Sequence, residues 1–175
     1  CCTHRLIEPL YFPMSSSSSI EFRSATLRDS KAITEVHLEA TRAAYRDLLT
    51  AEQMLPVLAL AGQVDWREAI GFSEPQVQLA NDQGQVVGFV GFDRSRDPKS
   101  KNTTGEVWAI YAAPDRIGQG VGLALWDAAL EGLEEEGCTD VTVWLPLLHE
   151  RTLRFHDLAG FKREMNTART VPLGG

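Results

Sequence analysis

The sequence predicts a single α/β domain of the α+β kind, with a mixed central sheet between flanking helices in three layers. Three observations carry that prediction. Strand-like runs at residues 76–80, 85–93 and 104–112 follow one another as an antiparallel meander. A glycine-rich segment, residues 117–122, then joins the last of these runs to a helical pattern. A further strand, helix and strand come after it, the order of a crossover connection rather than of a hairpin.

Taken in order, residues 20–27 alternate as a first strand, and Asp29 offers an N-cap to a helix whose Ile33, Val36, His37, Ala40 and Ala44 recur at helical spacing through Tyr45. A second helical stretch opens at Thr50 and is expected to be interrupted by Pro56 and Gly62. Asn81-Asp82-Gln83-Gly84 is a hairpin signal between the next two strands. Val121, Leu125, Ala128 and Leu133 mark one face of the helix after the glycine segment, which stops at Gly137. Residues 139–145 read as a buried strand, 150–158 as a helix ending before Gly160, and Phe161 begins the last strand.

Residues 1–13 lack the charged start, apolar centre and cleavage site of a signal peptide, and Met14 followed by five serines reads as a more natural beginning. Residues 1–19 are therefore expected to be a disordered or artefactual leader and 20–175 the domain. With 43% hydrophobic and 23% charged residues the chain is globular, and no apolar run approaches the ~18 residues of a membrane span. A net charge of −7 without a compensating basic stripe argues against nucleic acid. Acidity suits both solubility and the attraction of a cationic amine. Three cysteines, two of them at the start, form neither a disulfide framework nor a metal-ligand pattern, so no metal and a cytoplasmic location are expected.

The chemistry concentrates in Ile117-Gly118-Gln119-Gly120-Val121-Gly122, between a strand and a helix. Glycines let main-chain N–H groups approach a ligand, and the helix behind them adds its free first-turn donors and positive dipole end. That is a place for phosphate. A dinucleotide fingerprint fails, because counting from Gly118 puts Leu123 at its last glycine; a P-loop fails for want of a lysine. A tight turn without a ligand also fits the loop taken alone.

The run from Glu106 to Pro114, with Gly118-Gln119-Gly120-Val121-Gly122-Leu123-Ala124-Leu125 behind it, resembles the acetyl-CoA motif of the GNAT superfamily of N-acetyltransferases, and a bacterial member is expected. A second block, Arg151 to Phe161 with Phe155-His156 and Gly160-Phe161, is similar to that family's later signature. The chain departs from the pattern at Ile117, where the family has Arg or Gln, at His156, where it has Tyr, and at Gly175, where relatives continue into a further strand. The edge of the sheet is accordingly expected to be incomplete, inviting a homodimer.

The resemblance implies acetyl-CoA as co-substrate and direct attack by a primary amine, the acceptor being a small molecule. A non-catalytic acetyl-CoA sensor and a protein or peptide amine acetyltransferase are the alternatives. It also implies site residues. Main-chain N–H groups of residues 117–122 would hold the pyrophosphate. Those of Ile110 and Ala112 would pair with the pantetheine arm as an added strand. Glu106 aligns with the family's base, a plain strand carboxylate being the other reading, and His156 stands where relatives keep the Tyr that protonates the leaving thiolate. Tyr45, Arg46 and Tyr111 are the candidate acceptor residues, and His149 is expected in a loop or at an N-cap.

Overall fold

The computed structural model describes residues 2–5, 20–71, 76–147 and 149–164. One seven-stranded sheet contains β1 (Cys2–Arg5), β2 (Ile20–Ser24), β3 (Gln76–Asp82), β4 (Gln85–Arg94), β5 (Thr104–Ala112), β6 (Asp140–Val143) and β7 (Lys162–Arg163), in the order β2-β3-β4-β5-β6-β1-β7. Only β5 and β6 are parallel; every other pairing is antiparallel. Among the described residues five α-helices cover the sheet: α1 (Ser30–Tyr45), α2 (Ala51–Gly62), α3 (Trp66–Gly71), α4 (Val121–Glu135) and α5 (Glu150–Leu158). The three layers expected from the sequence are present.

Each face of the sheet carries its own core. On one, Val121, Leu125, Ala129 and Leu133 of α4 meet Val90, Phe92 and Val107. On the other, Ile33 and Val36 of α1 and Trp66 of α3 meet Leu79 and Phe89. The β3–β4 hairpin closes through Gln83 (φ 51°) and Gly84 (φ 87°), two residues with positive φ as a type I′ turn requires, and Asn81 Oδ1 accepts the Gly84 N–H.

Three expectations need correction. Pro56 and Gly62 do not interrupt the second helix: α2 runs through Pro56 and ends at Gly62. A reciprocal capping box between Thr50 and Gln53 fixes its start, while Met54, Val57 and Ala61 bury one face, which outweighs the one hydrogen bond Pro56 cannot donate. Asp29 stands at the N-cap of α1 without a side-chain cap bond, because its carboxylate takes Arg23 and the Thr26 N–H and hydroxyl instead, holding its pKa well below the usual carboxylate range. Within the segment set apart as a leader, Cys2–Arg5 forms a strand that pairs with β6 on one side and β7 on the other. The rest of that expected leader, residues 6–19, and the expected incomplete sheet edge after Glu164 lie outside the described residues.

A bulge bends β5 near its middle. Gly91 pairs with Ala109 and Phe92 with Val107, leaving Trp108 as the extra residue. A Cβ on Gly91 would lie 2.4 Å from Trp108 Cζ2, and the ring cannot yield easily because it stacks on buried Trp66 at 5.4 Å. Gly91→Ala is therefore expected to destabilise the fold by about 1–3 kcal/mol, as overpacked cores do. Urea unfolding should show the lower midpoint with an unchanged slope.

Candidate active site

The parallel pairing of β5 with β6 lasts for four residue pairs, Thr104↔Asp140 to Val107↔Val143. At that point the bulge turns β5 aside, and β6 ends. Residues 109–112 remain paired to β4 through Gly91 to Gly88, but no described strand lies along their other edge. A wedge opens there, walled by main chain that includes Ile110 and Ala112. An extended ligand arm can add to such an edge as a strand would.

The glycine segment stands at one rim of this wedge. A turn of 3₁₀ helix, Pro114–Arg116, leads into Gly118 (φ 81°) and Gly120 (φ 87°), and Gly120 caps α4. Among the described residues the N–H groups of Gly118, Gly120, Val121 and Gly122 have no acceptor within the protein. Gln119 differs from the other loop residues: its N–H bonds Arg116 O at 3.2 Å and its side chain donates to Asp115 O at 2.7 Å. It shapes the turn and leaves the donating to its neighbours. Ile117 exposes its side chain, whereas that of Val121 is buried, so Val121 can offer only its main chain. Arg116 ties the loop to the end of β3 through Asp82 at 2.8 Å. At Gly122 an added Cβ would meet the Phe155 ring at 3.7 Å, so α5 leans over the first turn of α4. Free amides, positive-φ glycines and the start of a 15-residue helix together suit a diphosphate.

On the opposite face of β5 the structure gathers an aromatic group. The Tyr111 ring lies 4.4 Å from His37 and 5.4 Å from Phe89, and His37 is 5.6 Å from Trp66. Burial, then the neighbouring Tyr45 phenol, push the Tyr111 hydroxyl up to about 12. Tyr45 itself stacks on His149 at 5.8 Å. His149 Nε2 donates to Ala44 O at 2.9 Å, which leaves Nδ1 to accept from the Thr152 hydroxyl. His149 does stand at the N-cap of α5, as expected, but it also joins that helix to the end of α1 across 105 residues of chain. Neither this joint nor the role of His37 has a local sequence signature, since both arise from contacts between distant elements.

Three expected site residues lie apart from that group. Glu106 sits at the vertex of the wedge, paired across to Asp93 and Thr142, with its carboxylate 3.5 Å from the Arg96 N–H. Arg46 follows α1, exposed and turned to Asp47 at 3.6 Å. His156 is 1% exposed, among Trp126, Phe155 and Phe161. Its Nδ1 must donate to Thr152 O at 2.8 Å, so the neutral ring has a lone pair rather than a proton at Nε2, which is buried without a partner. Burial also lowers its pKa, against the imidazolium that proton donation would require.

His37 is lowered by burial as well. Burial disfavours the charged form of both rings in the fold, while the unfolded chain binds protons near pH 6.5, so the native state binds fewer. Stability is then full above about pH 6.5 and is lost as pH falls toward the depressed native values, by up to ~1.4 kcal/mol per pH unit for each ring. Urea midpoints measured from pH 7.5 to 5.5 should fall, and His156→Phe should flatten part of that fall.

Residues 36–161 match the family model described as the acetyltransferase (GNAT) family. The chain is 29% identical over 127 residues to the uncharacterized N-acetyltransferase YuaI of Bacillus subtilis, covering 72% of this chain and 71% of that one. It is 28% identical over 117 residues to a mycothiol acetyltransferase of Acidimicrobium ferrooxidans, a match that takes in 67% of this chain but only 36% of that relative's length. Among solved structures, the PaiA N-acetyltransferase of Thermoplasma acidophilum in complex with coenzyme A superposes with a TM-score of 0.74 at 18% identity, covering 83% of this chain and 91% of that one. An N-acetyltransferase of Staphylococcus aureus gives 0.64 at 19%, covering 83% and 84%. These two show the fold.

Proposed function

The chain belongs to the acetyltransferase (GNAT) family and is an acyltransferase; from that premise we propose that it moves the acetyl group of acetyl-CoA to a primary amine of a small molecule by direct attack. One observation carries the reading: amides without acceptors among the described residues, at positive-φ glycines on a helix N-terminus, beside a strand edge that no described strand covers. The amides of Gly118, Gly120, Val121 and Gly122 take the diphosphate, and the main chain around Ile110 and Ala112 takes the pantetheine arm. Coenzyme A supplies the activated thioester; the protein holds it extended, with its acyl end toward the vertex of the wedge.

Glu106 lies at that vertex, and it is assigned the proton that the attacking ammonium must lose. Tyr45 and Tyr111 face the acceptor. Arg46, turned to Asp47, stays at the rim. His156 is assigned packing rather than proton donation, because its one N–H is held by Thr152. A thiolate with a pKa near the ~8.5 of cysteine can leave as such and be protonated from water. His156→Phe should accordingly keep turnover within about threefold, a result that a proton-donor role would forbid at roughly 10²-fold or more.

The test is a panel of primary amines with acetyl-CoA, read as thiol release, beside the rise in melting temperature that acetyl-CoA causes. Release of coenzyme A with an amine supports the reading. Stabilisation without turnover by any amine would assign a sensor instead. The expected cytoplasmic location and homodimer are kept as part of this proposal. Among the described residues no helix is long and apolar enough to cross a membrane.

A further inference from the structure

The geometry points to a particular acceptor class, an inference that rests on the acetyl-transfer reading above: a monoamine whose body is aromatic or apolar, rather than a diamine or polyamine. The acceptor side of β5 is walled by rings. Tyr111 and His37 lie 4.4 Å apart on one side, and Tyr45 and His149 stack at 5.8 Å on the other. His37 and Tyr45 both belong to α1, which packs against β5 beside Tyr111, so the two pairs lie on one face of the sheet. Leu48, just past Tyr45, and Leu147, just before His149, are 47% and 51% exposed, continuing the apolar surface outward.

The polar atoms of this wall have no carboxylate partner among the described residues: His149 bonds only Ala44 O and the Thr152 hydroxyl. His37 Nδ1 and the indole N–H groups of Trp66 and Trp108 are buried without partners among the described residues. The Arg46 guanidinium at the rim is already turned to Asp47.

A primary amine that reaches the vertex finds Glu106. A second ammonium on the same molecule would be left among the rings, stripped of water and with no carboxylate bonded to them among the described residues. A ring face attracts a cation, but it does not replace hydration as a carboxylate does. An aromatic or aliphatic body in the same place loses only unfavourable contact with water and gains stacking with Tyr45 and Tyr111.

The experiment compares kcat/KM for 2-phenylethylamine and tyramine with that for cadaverine and spermidine, at one pH and saturating acetyl-CoA. The aryl amines are expected to lead by at least tenfold. Tyr45→Asp, which places a carboxylate in the wall, should move the ratio toward cadaverine by tenfold or more. If that variant does not fold, Tyr45→Ala should raise KM for 2-phenylethylamine at least tenfold, and by several-fold more than it raises KM for cadaverine. Equal or better use of cadaverine or spermidine by the unmodified protein overturns the inference while acetyl transfer stands, and so does a ratio or KM that the Tyr45 variants leave unmoved. Acetyl-CoA stabilisation with no amine turned over overturns both readings together.

Discussion

Gly120→Val is expected to abolish measurable acetyl-CoA binding while leaving a folded protein. Gly120 has φ 87° and caps α4, and its own N–H and those of the two residues after it are without acceptors. A β-branched residue in the left-handed region costs roughly 1–3 kcal/mol, so the peptide either bears that strain or rotates out of it. Rotation turns the amides away from the ligand, and the new side chain enters the space the diphosphate needs. Each charge-assisted hydrogen bond contributes about 1.5–3 kcal/mol. Losing two of them lowers affinity by roughly 10²–10⁴-fold, since ~1.4 kcal/mol is tenfold. At a concentration of 100 Kd the unmodified protein should gain about 2.7 kcal/mol from acetyl-CoA, and the variant at most ~0.4 kcal/mol. Gly137→Ala is the control. It imposes a similar strain (φ 79°, nothing within 4 Å of the new Cβ) just past the far end of the same helix. It should lower stability yet leave Kd within twofold. A Gly120→Val protein that binds acetyl-CoA within threefold of the original would remove the glycine segment from the site.

The loop was legible in the sequence because its signal is local. Glycines at fixed places between a strand and a helix fix where donors stay free, whatever the rest of the chain does. Strands β3, β4 and β5 were legible for a similar reason, since Gln83-Gly84 sets the hairpin and alternation sets the faces. The bulge at Trp108 was not. It is a property of the pairing between Gly91 and Ala109, and one extra residue in an otherwise alternating run leaves no mark in composition. Nor was α3, whose six residues hold their place because Trp66 packs beneath α1 on Phe89 at 4.8 Å. His149 and His37 show the same limit at the site: each matters through a neighbour on a distant element, Ala44 for one and Tyr111 for the other. His156 was found by its motif, but only the bond to Thr152 O tells which of its nitrogens has the proton.

Glu106→Gln should lower kcat at pH 7 by about 10²–10⁴-fold, the usual worth of a positioned base, with little change in the Kd of acetyl-CoA. An alkylammonium of pKa about 10.4 is almost wholly protonated at pH 7, and reaching the free amine costs ~4–5 kcal/mol. A carboxylate where β5 and β6 part company stands at the closed end of the wedge, where an acyl group held by the open edge of residues 109–112 would arrive. Glutamine keeps the shape and the hydrogen-bond acceptor but cannot take the proton. The deficit should therefore shrink as pH rises, because hydroxide and the amine's own ionisation take over the work. At pH 9.5 the variant should recover a tenfold or larger share of the lost rate, whereas a damaged fold would recover nothing. Asp93 pairs directly across from Glu106 and is bound to Arg96 at 3.8 Å, so Asp93→Asn tests whether the effect belongs to this carboxylate or to acidity at the vertex in general. A loss shared equally by both variants would assign the role to the pair. A Glu106→Gln enzyme with full activity at pH 7 would mean that the amine arrives already neutral, and that the base is water.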